Sequence, residues 1–346
     1  MRKIYKIIDV NFNRTREGLR VIEDAIRFIY MDEKKLKEIR EIRHLFSKKT
    51  LGFFKQILLK VSREVEKDKG RNFIETEKSD LNKLIEKNFL RVEESLRVLE
   101  EYSKVLNQDA SYFFHNLRFK IYEIEKKIIC KLARKVIKIP CVYIILNLKE
   151  EEKKFLKFAE NVVKAQPDII QLRYKGNNTK FFFKIAKELK KFLSDEIIYL
   201  INDRIDVALL CESDGVHIGK NDFDIDDARI LLPEKIIGVS TESLNDIKNL
   251  KGKDIDYIAI GSIFKSQTKP EKKVIGIEII KEAKKYISIP LIGIGGINIE
   301  NASKVIENGA DGIAVISVVE NSKNPIETIK RLKEEVKKRW TRRKIN

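Results

Sequence analysis

Residues 139–146, IPCVYIIL, mark the point at which the chain changes its period. Pro140 disfavours helix in the residue before it, so the helical pattern upstream should stop here. The apolar, β-branched run that follows is too short for a helix and reads as a buried strand. Runs of the same kind recur downstream: IIQLR (169–173), IIYLIN (197–202), GVHIG (215–219), IIGVS (236–240), YIAIGS (257–262), PLIGIGG (290–296) and GIAVIS (312–317). Amphipathic stretches such as KFFFKIAKELKKFL (180–193) and IEIIKEAKKYI (277–287) separate them. Continuous apolar strands alternating with helices imply parallel pairing. Eight such units in about 200 residues predict an α/β fold, a (β/α)8 barrel over residues 139–346.

Upstream, residues 1–138 show apolar positions at three- and four-residue spacing and no proline, which predicts an all-α domain. Its last helix should run through SYFFHNLRFKIYEIEKKIICKLARKVIK (111–138). The domain also repeats itself. NFNRTREGLRVIED (11–24) returns in register as NFLRVEESLRVLEE (88–101), 77 positions on. In the first copy Leu19, Ile22, Ile26 and Ile29 form the expected apolar stripe, with Asn13, Arg16, Arg20 and Asp24 on another side. Spacing alone allows that polar side to be plain solubility pairing.

Composition narrows the classes. A 346-residue chain with 43% hydrophobic residues can bury a barrel core and that of a smaller module. No run approaches the ~18 to 20 uncharged apolar residues that a membrane span needs. MRKIYKIIDVNFNR has neither the apolar core nor the cleavage site of a signal peptide. The expectation is a cytoplasmic protein without a membrane partner. Cys130, Cys141 and Cys211, all in apolar contexts, fit a reducing compartment and exclude a cysteine zinc site of the usual spacing. The net charge of +18 is concentrated in residues 1–140, with 34 Lys and Arg against 22 Asp and Glu. Such a surface attracts nucleic acid or phosphorylated metabolites, or it merely solvates helices.

In a (β/α)8 barrel the reactive groups sit at the C-terminal ends of the strands, and the unusual polar residues fall there repeatedly. The second strand ends in Gln171, Arg173 and Lys175, the third in Asn202, Asp203 and Arg204, and Asp222 follows the fourth. The fifth ends at Ser240, the sixth runs into GSIFKSQTKP (261–270), the seventh into GIGG and the eighth into Ser317. Asp203 and Asp222 come from neighbouring strands, so their carboxylates can converge on one hard cation. With Arg173, Lys175 and Lys269 nearby, the expected cargo is a diphosphate carried with Mg2+. Gly293–Asn298 and the segment at Ile316 and Ser317 suit the single-phosphate pocket that such barrels build after strands seven and eight. The Ser266, Thr268 and Lys269 loop would lie between the two anionic ligands. His217, inside a strand, reads as a packed and hydrogen-bonded residue, Cys211 as core, and KKRWTRRKIN (337–346) as a frayed basic end.

Taken together, QLRYK, NDR, HIGKND, GVS, SQTK, GIGG and VIS resemble thiamine-phosphate synthases over residues 140–338. That family joins hydroxymethylpyrimidine diphosphate to hydroxyethylthiazole phosphate and releases pyrophosphate. The resemblance implies that Gln171, Leu172, Arg173, Tyr174, Lys175, Asn202, Ser240 and Lys269 bind the pyrimidine diphosphate. It gives Asp203 and Asp222 to one Mg2+, and Ser266, Gln267, Thr268, Gly296, Ile316 and Ser317 to the thiazole phosphate. Lys175, Lys269 and Ser240 would be the catalytic groups, in a dissociative reaction that needs no strong base. Tyr174 stands where the family commonly has Glu, and Ser266 where Thr is usual.

The first half is similar to a helical domain found fused ahead of this synthase and associated with phosphorylating hydroxymethylpyrimidine phosphate. That makes Asn11, Asn13, Arg16, Arg20 and Asp24 site candidates and ATP a cofactor, although no P-loop or glycine-rich kinase loop is present. A second reading is a tautomerase-like barrel carrying a helical module for oligomerisation or RNA binding. The expected partners are small phosphorylated substrates rather than a specific nucleic acid, and a homo-oligomer stays open.

Overall fold

The computed structural model describes residues 1–30, 32–61, 80–149, 151–266, 270–271 and 273–345. The chain forms two compact units, Met1–Leu132 and Ala133–Asn346. Among the described residues no helix is long and apolar enough to cross a membrane.

The first unit is all helical: α1 (Arg2–Ala25), a π-helical segment (Ile26–Tyr30), α2 (Glu33–Phe53), α3 (Gln56–Val61), α4 (Leu81–Ser103) and α5 (Gln108–Ala133). The repeat seen in the sequence proves larger than its motif. α1 corresponds to α4, and α2 corresponds to α5 with an offset of 75 positions. Buried Ile8, Phe12, Leu19 and Ile22 match Ile85, Phe89, Leu96 and Leu99. Ile39, Ile42 and Phe46 match Phe114, Leu117 and Ile121. Even the caps match: Asp32 accepts from the Lys35 amide and Asn107 from the Ala110 amide, each satisfying an orphan donor at a helix start. α1 and α4 cross at small residues. Thr15 Oγ1 and Ser95 Oγ are 2.8 Å apart, and a Cβ on Gly18 would stand 2.7 Å from Val92 Cγ2. Ile29, expected in the apolar stripe, is 52% exposed, because the π segment turns it off the helical period.

The second unit is a closed barrel of eight parallel strands in sequence order. The strands are β1 (Cys141–Leu148), β2 (Ile169–Tyr174), β3 (Ile198–Asn202), β4 (Gly215–Ile218), β5 (Ile236–Thr241), β6 (Tyr257–Ile260), β7 (Leu291–Ile294) and β8 (Gly312–Val315). The helices between and after them are α6 (Glu152–Lys164), α7 (Thr179–Phe192), α8 (Ile205–Leu210), α9 (Ile225–Leu231), α10 (Leu244–Asn249), α11 (Ile279–Lys284), α12 (Ala302–Glu307), α13 (Ser317–Glu320) and α14 (Pro325–Ile345). Strand residues alternate between two cores. Tyr143, Ile145, Ile169, Leu200, Ile236, Tyr257 and Ile292 fill the lumen. Val142, Ile144, Ile170, Leu172, Ile201 and Ile258 face the helical ring.

Two boundaries differ from the sequence expectation. The last helix of the first half ends at Ala133, not at 138, and residues 134–138 go with the barrel. Arg134 explains this: it is buried and donates to both carboxylate oxygens of Asp254, at 2.8 and 2.9 Å, and to the Pro233 carbonyl. As far as residue 345 the basic C-terminal stretch is not frayed. Residues 337–345 continue α14, with Trp340 against the barrel's outer core and Arg343 donating to the Ile306 and Ala310 carbonyls.

Candidate functional site

The site grows from the inward positions at the C-terminal ends of β1 to β5. Gln171 and Arg173 follow Ile169 on the luminal side of β2, and Asn202 follows Leu200 on β3. Leu172 and Tyr174 take the opposite side. Leu172 is fully buried in the outer core, and the Tyr174 ring packs on Phe181 and Phe182 of α7. Their side chains therefore face the helices, which leaves only backbone from these two positions to the barrel mouth. Gln171 is 1% exposed and Asn202 7%, yet Gln171 Nε2 and Asn202 Nδ2 have no partner among the described residues. Two buried amide donors without acceptors are costly in a protein interior, which points to a ligand that supplies acceptors.

Next to them is a polar rim. Asp203 adopts φ +64°, a left-handed conformation tolerated by Asp and typical of functional turns, while its amide donates to the His217 carbonyl. Its carboxylate accepts from Lys175 Nζ at 2.6 Å. Asp222 Oδ2 accepts from the Gly219 amide at 2.7 Å, and its carboxyl neighbours that of Asp203. Burial and the neighbouring Asp203 push the Asp222 carboxyl up from its ordinary value, against the pull of Lys175. Two converging carboxyls beside a lysine are what a hard divalent cation with phosphate co-ligands requires, so the residues fit Mg2+. Among the described residues no cluster of three acidic, His or Cys groups could hold a metal, so an ion held by this pair would need further ligands from substrate or water. Arg173 is half-buried and donates to Asn147 Oδ1 at 2.8 Å; burial lowers its pKa while Asp203 opposes that. A cavity of about 390 Å³ opens here, lined by Asn147, Arg173, Lys175, Ser317 and Glu320 among others.

Beneath Ser240 runs a buried hydrogen-bond chain that the sequence did not reveal. Ser240 Oγ is 2.8 Å from His217 Nε2, His217 Nδ1 is 2.8 Å from Tyr257 Oη, and Tyr257 Oη is 3.0 Å from Tyr143 Oη. Tyr143 is the end of the chain. If it received rather than gave the bond, its own O–H would be buried without an acceptor, the costlier arrangement. The direction follows: Tyr143 donates to Tyr257, Tyr257 to Nδ1, and Nε2–H to Ser240. The serine proton is then free for a ligand at the mouth. His217 is thus the packed, hydrogen-bonded residue that its strand position implied. Inward-facing Tyr143 and Tyr257 were visible as strand residues, but their pairing across the lumen was not.

On the far side the β6 and β7 loops zip together. The Ile263 amide donates to the Ile294 carbonyl at 2.9 Å and the Phe264 amide to the Gly295 carbonyl at 3.0 Å. Gly296 has φ +64°, and a Cβ there would stand 2.4 Å from the Lys265 carbonyl oxygen, so glycine is required. Ile316 flanks the luminal core and Ser317 begins α13. Ser266 is half-buried at the start of the expected phosphate loop. Gln267, Thr268 and Lys269 lie outside the described residues.

A family model described as thiamine monophosphate synthase matches residues 142–319, more than half of the chain. The chain belongs to the thiamine monophosphate synthase family. A second model, the ThiD2 family, matches residues 6–127. This thiamine monophosphate synthase family member is 35% identical to the thiamine-phosphate synthase of Prochlorococcus marinus strain AS9601, over 94% of this chain and 93% of that one. It is 31% identical to the enzyme of that name from Synechocystis sp., covering 95% of each. Among solved structures, the thiamine phosphate pyrophosphorylase from Pyrococcus furiosus is 31% identical, with a TM-score of 0.53, covering 60% of this chain and 98% of that one.

Proposed function

We propose that the barrel is a thiamine-phosphate synthase in the chemical sense: it joins hydroxymethylpyrimidine diphosphate to hydroxyethylthiazole phosphate, giving thiamine monophosphate and pyrophosphate. The observation that carries this reading is the juxtaposition of the Asp203–Asp222–Lys175 cluster with the unpartnered amides of Gln171 and Asn202. The amides offer donors to the ring acceptors of a pyrimidine, and the cluster suits the diphosphate. Asp203 and Asp222 would hold Mg2+, which supplies charge neutralisation of the departing pyrophosphate. Lys175 and Arg173 add positive charge where negative charge develops on the leaving oxygen. Ser240, oriented by His217, gives its proton to the same ligand. The Gly296 turn, Ile316 and Ser317 would hold the thiazole phosphate, close enough for its ring nitrogen to attack the ionised methylene carbon. A tautomerase has no diphosphate for a metal-binding acidic pair to hold, which favours the synthase.

The helical unit, on this reading, supplies the diphosphate by ATP-dependent phosphorylation of the pyrimidine monophosphate. Support comes from the ThiD2 family match and from relatives that span both units. Mixing the chain with both phosphorylated substrates and Mg2+ should release pyrophosphate and thiamine monophosphate in equal amounts. Thiazole isomerisation without pyrophosphate would contradict the proposal.

A further inference from the structure

The duplication in the helical unit provides an internal control. Each copy buries one glutamate from its first helix and surrounds it with cations from both of its helices. In the first copy this is Glu23, fully buried, with Arg20 from α1 and Arg40 and Arg43 from α2. In the second it is Glu100, with Arg97 from α4 and His115 and Arg118 from α5. Arg20 corresponds to Arg97, Arg40 to His115 and Arg43 to Arg118.

The two clusters have diverged in a way that packing does not demand. In the second copy the arginine ends are taken. Arg97 reaches Glu100 and Glu101 with its two terminal nitrogens, each at 2.9 Å, and Arg118 spends its own on Glu100 and Tyr122. In the first copy Arg40 and Arg43 both bind Glu23 through Nε, at 3.3 and 2.6 Å, and Arg20 binds Asp24 through Nε at 3.0 Å. The terminal nitrogens of Arg40 and Arg43 take no hydrogen bond among the described residues. Arg20 and Arg40 are each half exposed; Arg20 turns one terminal nitrogen to Glu23 at 3.7 Å, whereas the terminal pair of Arg40 is open to solvent. The local charge is more positive in the first copy as well. Three arginines face Glu23 and Asp24, whereas the second copy replaces one arginine by histidine and places Glu93 where the first has Arg16. Asp24 Oδ1 is buried without a hydrogen-bond partner among the described residues and offers one acceptor, whereas its counterpart Glu101 Oε1, also buried, has Arg97 at 2.9 Å. The π-helical segment starts two residues after Asp24, a feature that often marks functional sites; here the connection is also two residues longer than in the second copy.

We propose that the first cluster, built on Arg20, Arg40 and Arg43 around Glu23, is a phosphate-binding site for a small phosphate monoester whose organic part carries a hydrogen-bond donor. Glu23 holds Arg40 and Arg43 by Nε, which leaves their paired terminal nitrogens as preformed forks, the geometry that best accepts phosphate oxygens, while Arg20 adds charge beside them. Asp24 Oδ1 takes the donor of the organic part. This deepens the reading of the helical unit as acting on a pyrimidine monophosphate and rests on it for the organic part alone.

The test is equilibrium dialysis of the full chain against radiolabelled inorganic phosphate, with Arg40→Gln and, as the second-copy control, Arg97→Gln. Phosphate sites in the barrel are common to all three chains, so the difference isolates the helical unit. Wild type and Arg97→Gln should bind one more phosphate per chain than Arg40→Gln, whose affinity there falls roughly tenfold to a hundredfold. Equal binding by all three, or an equal loss in Arg97→Gln, overturns the site. Should Arg40→Gln unfold, Arg40→Lys decides: it keeps the charge but not the fork, and unchanged phosphate binding in it overturns the proposal. ATP-dependent phosphorylation of the monophosphate is measured separately. Phosphate retention without phosphorylation keeps the site and sinks the kinase reading, whereas an unchanged KM for the monophosphate in Arg40→Gln sinks the site.

Discussion

Replacing Tyr257 by Phe tests the buried relay beneath Ser240. The ring stays and one oxygen goes, but that oxygen serves two partners, Tyr143 Oη at 3.0 Å and His217 Nδ1 at 2.8 Å. Tyr257, Tyr143 and His217 are 0%, 1% and 7% exposed, so water has little access to either orphan. Each buried polar group left unmade costs about 1 to 3 kcal/mol, giving roughly 2 to 6 kcal/mol for the pair. Against a total domain stability of about 5 to 15 kcal/mol that is a severe loss. Tyr143→Phe removes only the terminal donor and orphans nothing that needs an acceptor, so it should cost about 1 kcal/mol. Urea denaturation of both variants, with unchanged m-values, measures the two numbers. Tyr257→Phe should also lower kcat/KM, because His217 can then turn its tautomer and compete for the Ser240 proton; Tyr143→Phe should not. Equal stability loss in the two variants would refute the direction assigned to the chain.

Lys175→Ala should reduce kcat of the synthase reaction by about a hundredfold to a thousandfold, as expected for removing one preorganised electrostatic contact, with little change in thermal stability. Asp222→Asn should raise Tm in the absence of divalent metal, since the folded chain disfavours the ionised carboxylate there, and should abolish Mg2+-dependent pyrophosphate release. Glu93, beside Glu125, is pushed up to about 8 by burial and by that second carboxyl. A pKa raised on folding gives stability that is complete below the unfolded value near 4.5 and lost as pH rises towards 8. The helical unit should therefore lose Tm between pH 5 and 8, and Glu93→Gln should flatten that slope in calorimetry. Gly18→Leu should destabilise the α1–α4 crossing by about 1 to 3 kcal/mol, read from urea midpoints, because even a Cβ meets Val92; Val92→Ala should restore part of the loss.

The barrel was legible because β-branched runs repeat eight times and polar strand ends seven times, so each unit supports the others. Gln171, Asn202, Asp203 and Asp222 were legible for the same reason: register in a parallel barrel places strand ends on one rim. Strand alternation also separates Gln171 and Arg173 from Leu172 and Tyr174, but a motif read as a continuous block hides it. The Tyr143–Tyr257–His217 relay joins β1, β6 and β4 across the lumen, a juxtaposition that depends on the depth of each side chain. The second half of the helical duplication was hidden by its changed offset and by the replacement of Arg40 with His115. Residues 337–346 looked like a loose basic tail because their anchors, Trp340 and Arg343, act at single points.

The central claim is that Asp203 and Asp222 share one divalent ion that carries the diphosphate. Crystals grown with Mn2+ in place of Mg2+ and with pyrophosphate test it directly through anomalous diffraction. The account predicts one manganese peak between the two carboxylates, with a pyrophosphate oxygen as co-ligand and Lys175 moved from Asp203 to the diphosphate. A bound pyrophosphate with no manganese at that position, or manganese held elsewhere on the barrel, would contradict it.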